Sequence, residues 1–167
     1  YLGRYMRCKV YNYIFSLVSY ALHKNDFILA HAAGFKILDR KVLVFSHADT
    51  GKTYLIESIA KFLSGGINTG IVDIDMGQSH IGPPTTIGLG IVKDEFKNWE
   101  NIETQSIYFV GDTTPFKNLL PTITGSVYLT EKAKLTTDKI LIDTTGLIAG
   151  VIGRILKWNL IDIIRPD

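Results

Sequence analysis

The chain has 167 residues, of which 46% are hydrophobic and 20% are charged, and its formal net charge at pH 7 is +2. This composition predicts one compact soluble domain with its own core. The single cysteine, Cys8, excludes a disulfide framework and favours a cytoplasmic location. No apolar run approaches the ~18 residues of a membrane-spanning helix, so we expect no membrane partner.

Residues 1–41 are predicted to form an N-terminal segment of one helix and a β-hairpin. A helix is expected over residues 5–22, where apolar side chains recur at intervals of three and four residues. Two short strands, at residues 27–31 and 35–38, are expected to pair as the hairpin. Residues 42–167 then form the main domain.

The start of this main domain carries a phosphate-binding motif. Four apolar residues lead into a loop that matches the consensus G-x-x-x-x-G-K-[ST], except that Ser46 stands at the first glycine. In such loops backbone N–H groups converge on nucleotide phosphates, the lysine reaches the β- and γ-phosphates, and the hydroxyl binds Mg²⁺. Lys52 and Thr53 occupy these last two positions. The expected nucleotide-binding residues are Ser46, His47, Ala48, Asp49, Thr50, Gly51, Lys52, Thr53 and Tyr54.

The residues after this loop favour the phosphate-binding interpretation. Apolar side chains over residues 55–63 follow helical spacing, and Gly65 and Gly66 end the predicted helix. Such a helix directs the positive end of its dipole at bound phosphates. The alternative is a chance Gly-Lys-Thr sequence in a turn.

Apolar strands and helices alternate through the rest of the chain. The predicted strands are 69–75, 87–92, 106–111 and 139–143, the predicted helices are about 116–135 and 147–158, and a last strand begins at 161–164. This alternation predicts an α/β fold of the P-loop NTPase class, with a mostly parallel sheet and helices on both faces. The strand at 106–111 is expected in the core. Functional groups of such folds gather at the carboxyl ends of the strands.

The second motif, residues 73–84, follows the strand predicted at 69–75. Asp73 and Asp75 point to the same side, because side chains alternate along a strand. Two carboxylates beside the phosphate loop suit Mg²⁺ coordination and proton abstraction, and in a kinase one of them can accept the proton of an attacking hydroxyl. The alternative is that an aspartate caps a turn.

Two further polar segments follow predicted strands. The hydroxyls of residues 111–115 could bind phosphate or ribose, or this Thr-Pro sequence could simply begin a helix. In residues 143–147, Asp143 is either a group near the γ-phosphate or the N-cap of the next helix.

These four segments, in this order, resemble the P-loop polynucleotide 5′-hydroxyl kinases of tRNA, messenger-RNA 3′-end and pre-ribosomal-RNA processing, together with their archaeal relatives. Residues 46–54 are similar to the family loop G-P-x-D-x-G-K-[ST]-[ST], in which Asp49 is the most telling match. Residues 73–84 match the family's D-x-D-x-G-Q element and the proline pair that follows it. Residues 111–115 and 143–147 are similar to G-x-T-[ST]-P and N-T-x-G-W.

The resemblance covers about residues 42–167 and implies ATP-dependent phosphorylation of the 5′-hydroxyl end of RNA or DNA, with GTP as another candidate donor. It implies that Lys52 binds the β- and γ-phosphates and that Asp75 activates the hydroxyl. It also implies RNA-processing proteins as partners. The expected Mg²⁺ ligands are Thr53, Asp73 and Asp75, and the expected substrate-binding residues are Gln78, Thr114, Thr145 and Gly146.

Some features depart from the family pattern. Ser46 and His47 replace its Gly-Pro opening, and Leu147 stands where many members carry a tryptophan that stacks on a substrate base. The arginine-bearing lid of the family follows the last strand, so we expect this chain to be truncated before the lid.

Two other functions remain open at the level of the sequence. Residues 31–41 resemble the strands that lead into the loop of bacterial HPr-type serine kinases. This likeness keeps another P-loop phosphotransferase or NTPase, acting on a protein or small molecule, as one alternative. The replaced glycine keeps a non-catalytic nucleotide-binding scaffold as the other.

Overall fold

The computed structural model describes residues 34–37, 40–43, 52–147 and 150–165. These residues form six strands, three α-helices and one short 3₁₀ turn, Trp99–Asn101. In chain order the strands and helices are β1 (Gly34–Ile37), β2 (Arg40–Leu43), α1 (Lys52–Leu63), β3 (Thr69–Asp73), β4 (Thr86–Val92), β5 (Glu103–Phe109), α2 (Leu119–Lys134), β6 (Lys139–Asp143) and α3 (Gly150–Ile164).

The first two strands form a small sheet of their own. β1 and β2 are antiparallel, with Phe35 opposite Val42. β1 and β2 therefore form a hairpin, and β2 is the strand that precedes the phosphate loop. The strand predicted at 27–31, the helix predicted at 5–22 and residues 44–51 lie outside the described residues. β1 lies beside β6, which places this hairpin next to the larger sheet.

The larger sheet has the strand order β5-β4-β3-β6 and is mixed. β3 and β6 are parallel, whereas the pairs β3–β4 and β4–β5 are antiparallel. The prediction of a mostly parallel sheet is therefore not confirmed in the described part of the chain. The reason lies in the connections: no α-helix separates β3 from β4 or β4 from β5, and a parallel neighbour is normally reached through a crossover helix.

Helices cover both faces of this sheet, as predicted. On one face α1 contributes to a core of Ile56, Ile59, Ala60, Leu63, Ile71, Ile81, Val92, Phe96 and Leu141. On the other face α2 and α3 contribute to a core of Val72, Ile74, Met76, Ile87, Leu89, Val110, Leu129, Ala133, Ile142, Leu156, Leu160 and Ile164. Successive residues of β3 and β6 alternate between the two layers, because side chains alternate along a strand.

Two predicted elements differ from the structure. β5 is an edge strand, with Ile107 and Phe109 exposed, so the prediction of a core strand there is wrong. Residues 161–164 are the last turn of α3 and do not begin a strand. The apolar run at 161–164 is too short to distinguish the two conformations, and Ile164 continues the buried stripe of Leu156 and Leu160 at four-residue spacing.

A loop, rather than a helix, covers β4 on the α1 side. This loop, residues 74–85, packs its Ile81 directly on the strand, where β4 has glycines at positions 88 and 90. A Cβ atom at Gly88 would overlap the Ile81 carbonyl group, and one at Gly90 would overlap the Ile102 side chain. Gly88 therefore makes room for the loop that carries the second motif, and Gly90 makes room mainly for Ile102.

Among the described helices, none is long and apolar enough to cross a membrane.

We predict that Gly88→Ala lowers the free energy of unfolding by about 1–3 kcal/mol or more, because the new Cβ atom meets backbone that cannot easily move. Gly65→Ala is the matched control, since no atom lies within 4 Å of its added Cβ. Urea denaturation followed by circular dichroism measures both variants. Equal transition midpoints would contradict the close packing of the loop on β4.

Candidate active site

Three ends of secondary structure meet where the sequence predicts a nucleotide site. α1 begins at Lys52, and β3 and β6 end side by side, with Asp73 and Asp143 paired in the parallel register. The Thr53 hydroxyl donates a hydrogen bond to Asp143 Oδ2 at 3.4 Å. Because α3 begins only at Gly150, Asp143 is not the N-cap of that helix. The structure therefore joins the phosphate-loop threonine to the carboxylate that ends β6.

The start of α1 has the chemistry of an anion site. The first N–H groups of a helix have no intrahelical partner, and the helix dipole is positive at this end. Residues 46–51 and the Lys52 side chain lie outside what the structure describes, so their contacts with nucleotide stay predictions.

The Thr53–Asp143 pair has the chemistry of a site for Mg²⁺. Hydroxyl and carboxylate oxygens are hard ligands, and protein-bound Mg²⁺ usually keeps several waters and substrate phosphates with only one or two carboxylates. A cluster of three or more His, Cys, Asp or Glu residues that could hold a metal does not occur among the described residues. The donor set here fits an ion that is shared with a nucleotide.

Asp73 is buried, with 1% of its surface exposed, and organises the loop that follows β3. Its Oδ1 atom accepts the N–H of Asp75 at 3.0 Å. Its Oδ2 atom accepts the N–H groups of His80 at 2.6 Å and Ile81 at 3.1 Å, and the Ser79 hydroxyl at 3.4 Å. Both oxygens are thus engaged in holding the loop. The expected metal contact of Asp73 stays a prediction.

Burial also changes the acidity of this carboxyl group. Desolvation raises the pKa of Asp73 above its usual value of 3.8, and the N–H groups of His80, Asp75 and Ile81 oppose that change without cancelling it. A fully buried carboxyl with hydrogen bonds to three backbone groups is a structural anchor for the loop.

Asp75 lies in a different environment although it is only two residues further on. Its side chain is half-buried, and Oδ1 accepts the N–H groups of Gly77 and Gln78 at 3.3 Å each. The Gln78 N–H also approaches the Asp75 carbonyl oxygen at 3.2 Å, which closes a tight turn. The predicted substrate residue Gln78 is exposed beside this carboxylate.

The segment after β5 packs against the same loop. A Cβ atom at Gly77 would lie 3.1 Å from the Thr113 carbonyl oxygen. The Thr85 carbonyl accepts the N–H groups of Val110 at 2.9 Å and Gly111 at 3.2 Å. Thr85 has a φ of 70°, a left-handed conformation that is strained for a β-branched residue. The second and third motifs are therefore neighbours in space, as the sequence predicts.

The predicted substrate residue Thr114 lies in this third motif and is exposed. Its hydroxyl accepts the N–H of Phe116 at 3.4 Å, and its own N–H donates to Asp112 Oδ1 at 3.1 Å. These contacts shape a turn, and α2 begins only at Leu119. The Thr-Pro sequence is therefore not the start of the helix.

The other two predicted substrate residues, Thr145 and Gly146, lie in the loop after β6. Thr145 is buried, and its hydroxyl accepts the N–H of Leu147 at 3.3 Å. Lys157 of α3 donates to the Thr144 hydroxyl at 2.6 Å and to the Thr145 carbonyl oxygen at 2.7 Å. The buried Lys157 side chain thus holds this loop in position through two hydrogen bonds.

Lys157 is a functional residue that was not predicted from the sequence, although its position in α3 carries a signal. Lys157 falls on the stripe of α3 that also buries Gly153, Leu160 and Ile164 at intervals of three and four residues. A charged residue on a buried helical stripe requires polar partners in the interior. Its partners are the oxygens of the loop next to Asp143.

A helix start beside carboxylate-ended strands of an α/β sheet is the arrangement found in P-loop nucleotide-binding domains. Residues 46–167 match the family described as the P-loop domain of the mRNA cleavage and polyadenylation factor CLP1, and this chain belongs to that family. The resemblance stated from the four motifs is confirmed by this match.

Curated relatives from archaea agree with the family. The polyribonucleotide 5′-hydroxyl-kinases of Methanocaldococcus jannaschii and Pyrococcus furiosus are each 40% identical to this chain over 128 residues, or 76% of it. The polyribonucleotide 5′-hydroxyl-kinase of Pyrococcus horikoshii is 40% identical over 127 residues, or 75% of the chain. The matched region covers 35% to 36% of the length of these relatives.

We predict that Asp73→Asn lowers the free energy of unfolding by roughly 1.5–3 kcal/mol or more, because an amide nitrogen cannot accept the loop N–H groups. Asp75→Asn should cost much less, since Asp75 is half-buried and its turn is partly closed by its own carbonyl. Urea denaturation at neutral pH compares the two. Equal losses would contradict the role of Asp73 as the anchor of the loop.

Proposed function

We propose that this chain is the P-loop part of a polynucleotide 5′-hydroxyl kinase, which transfers the γ-phosphoryl group of ATP to the 5′-hydroxyl end of RNA. The observation that carries the proposal is the contact of Thr53 with Asp143 at the start of α1, beside the loop that Asp73 anchors. Family membership and relatives named polyribonucleotide 5′-hydroxyl-kinases support it.

The donor side of the proposed site is the start of α1. Residues 46–51 and Lys52 would surround the nucleotide phosphates, with ATP or GTP as the donor. Mg²⁺ would be held by Thr53 next to Asp143, and it would neutralise charge on the transferred phosphoryl group.

The acceptor side of the proposed site is the Asp73-anchored loop. The 5′ oxygen attacks the γ-phosphorus, its proton passes to Asp75, and the bond from the γ-phosphorus to the β–γ bridging oxygen breaks to release ADP. We assign the proton to Asp75 because its side chain is only half-buried, whereas Asp73 is 1% exposed and inaccessible to a substrate. Lys52 would balance the charge that develops on the γ-phosphoryl oxygens.

The proposed acceptor contacts follow from exposure. Gln78 and Thr114 are exposed on adjacent segments, so their side chains are available to a nucleic-acid end. Thr145 and Gly146 would act through the position of their loop, which Lys157 fixes.

RNA is favoured over DNA because the relatives are named for polyribonucleotides. Through the family, the proposal extends to RNA-processing partner proteins.

A second candidate function is a nucleotide-binding scaffold without phosphoryl transfer. Ser46 in place of the first loop glycine favours it, because serine tolerates a positive φ poorly. Binding of ATP without any transfer to a 5′-hydroxyl oligonucleotide would support this function. Transfer of label from γ-labelled ATP to such an oligonucleotide by the intact protein would exclude it.

We predict that Lys52→Ala abolishes label transfer at saturating ATP while the fold is retained, because the lysine balances charge only on bound phosphates. Lys61→Ala is the matched control, since Lys61 is an exposed lysine in the last turn of the same helix. Initial rates of label transfer in the intact protein measure the effect. Unchanged turnover in Lys52→Ala would refute the assignment of the donor site.

We predict that Asp75→Asn slows single-turnover phosphorylation by roughly 10²–10⁴-fold and leaves ATP affinity nearly unchanged, because the amide cannot take the proton of the hydroxyl. Asp94→Asn, an exposed aspartate after β4, is the control. The rate is measured with a 5′-hydroxyl oligonucleotide across a Mg²⁺ series. If saturating Mg²⁺ restores the rate of Asp75→Asn, the residue binds metal and is not the base.

A further inference from the structure

The rings of His80, in the loop of residues 74–85, and Trp99 form an aromatic pair that has no role in the proposed reaction. Trp99 is half-buried, and its indole N–H donates to Glu57 Oε1 of α1 at 2.6 Å. The Phe96 ring meets Trp99 edge to face, with centroids 5.7 Å apart and planes at 90°. The hydrogen bond to Glu57 and the contact with Phe96 thereby fix the position of the indole.

His80 provides the second ring. Its ring centroid lies 4.5 Å from that of Trp99, with the planes tilted by 34°. The residue is exposed, although its backbone N–H is held by Asp73 at 2.6 Å. The His80 imidazole packs on the indole and remains exposed to solvent. It therefore presents a flat surface whose position is fixed.

The position of this pair relative to the proposed reaction is set by two links. Along α1, Glu57 lies four residues after Thr53 on the same side of the helix, which is a separation of ~6 Å. Along the loop, His80 and Asp75 both bond to the Asp73 carboxylate. The ring pair is therefore linked to Asp75 through the Asp73 carboxylate and to Thr53 through one turn of α1.

We propose that His80, supported by Trp99, is a stacking surface for a nucleobase near the 5′ end of the acceptor strand. The proposal rests on the function proposed above. Every base has a flat π-face, so stacking on an aromatic ring binds single strands without regard to sequence. A base of the acceptor is favoured over the adenine of ATP, because the pair is attached to the Asp73 loop that carries Asp75 and Gln78.

The test measures binding and phosphoryl transfer in parallel. His80→Ala is compared with Phe62→Ala, which removes an exposed ring at the far end of α1. Fluorescence anisotropy gives the Kd of the intact protein for 5′-hydroxyl oligoribonucleotides that carry either a normal base or an abasic site at nucleotide 1, 2 or 3. Steady-state assays on the same oligonucleotides give KM and kcat.

We expect His80→Ala to raise Kd and KM for the normal oligonucleotide roughly 5- to 150-fold, with kcat within about twofold of wild type. Phe62→Ala should change neither constant. An abasic site at one of the three positions should weaken binding to wild type and remove the difference between wild type and His80→Ala. Trp99→Phe, which loses the bond to Glu57 but keeps a ring, should show a smaller loss.

Two results would overturn the stacking surface. In the first, His80→Ala leaves the Kd for the oligonucleotides unchanged, or raises it by the same factor for the normal and all abasic forms. In the other, the variant raises the Kd for ATP instead. A base-dependent loss of oligonucleotide binding without any phosphoryl transfer by wild type would support the stacking surface and refute the kinase function, so the two failures are distinguishable.

Discussion

The loop of residues 74–85 depends on one buried carboxylate. Asp73 ends β3 in the core and accepts hydrogen bonds from the backbone of Asp75, His80 and Ile81. A loop of this length without regular structure would otherwise leave several buried N–H groups without partners, which is costly. Because the carboxylate gathers those groups at one point, Asp75, Gln78 and the aromatic pair keep fixed positions relative to α1.

The same loop packs on one face of the sheet. Ile81 packs on Gly88 and Gly90, so the loop covers part of the face that a crossover helix would cover in a parallel sheet. The chain can then return directly through β4, and β4 pairs with β3 in the antiparallel sense. The loop, β3 and β4 therefore form one packed unit beside α1, in which Gly88 accepts the backbone of Ile81.

Much of this fold follows from the periodicity of the sequence, and the rest depends on contacts that periodicity does not contain. The helical spacing of residues 55–63 correctly predicts α1, and the polar residues after β3 and β6 correctly mark the ends that meet. The antiparallel direction of β4 follows from the lack of a helix between β3 and β4. The fit of Ile81 on Gly88 and Gly90 is a contact that periodicity does not contain. The roles of Lys157 and Trp99 likewise depend on partners far along the chain.

The parallel register of β3 and β6 has a consequence for how this chain tolerates change. Asp73 stands opposite Asp143, and Ile71 stands opposite Leu141, so one alignment sets both the site and the core. A slip of one residue would exchange the two apolar layers and separate the carboxylates at the same time. An insertion or deletion within either strand therefore disturbs the candidate site and the core together. Natural selection for a stable core also preserves the geometry of the site.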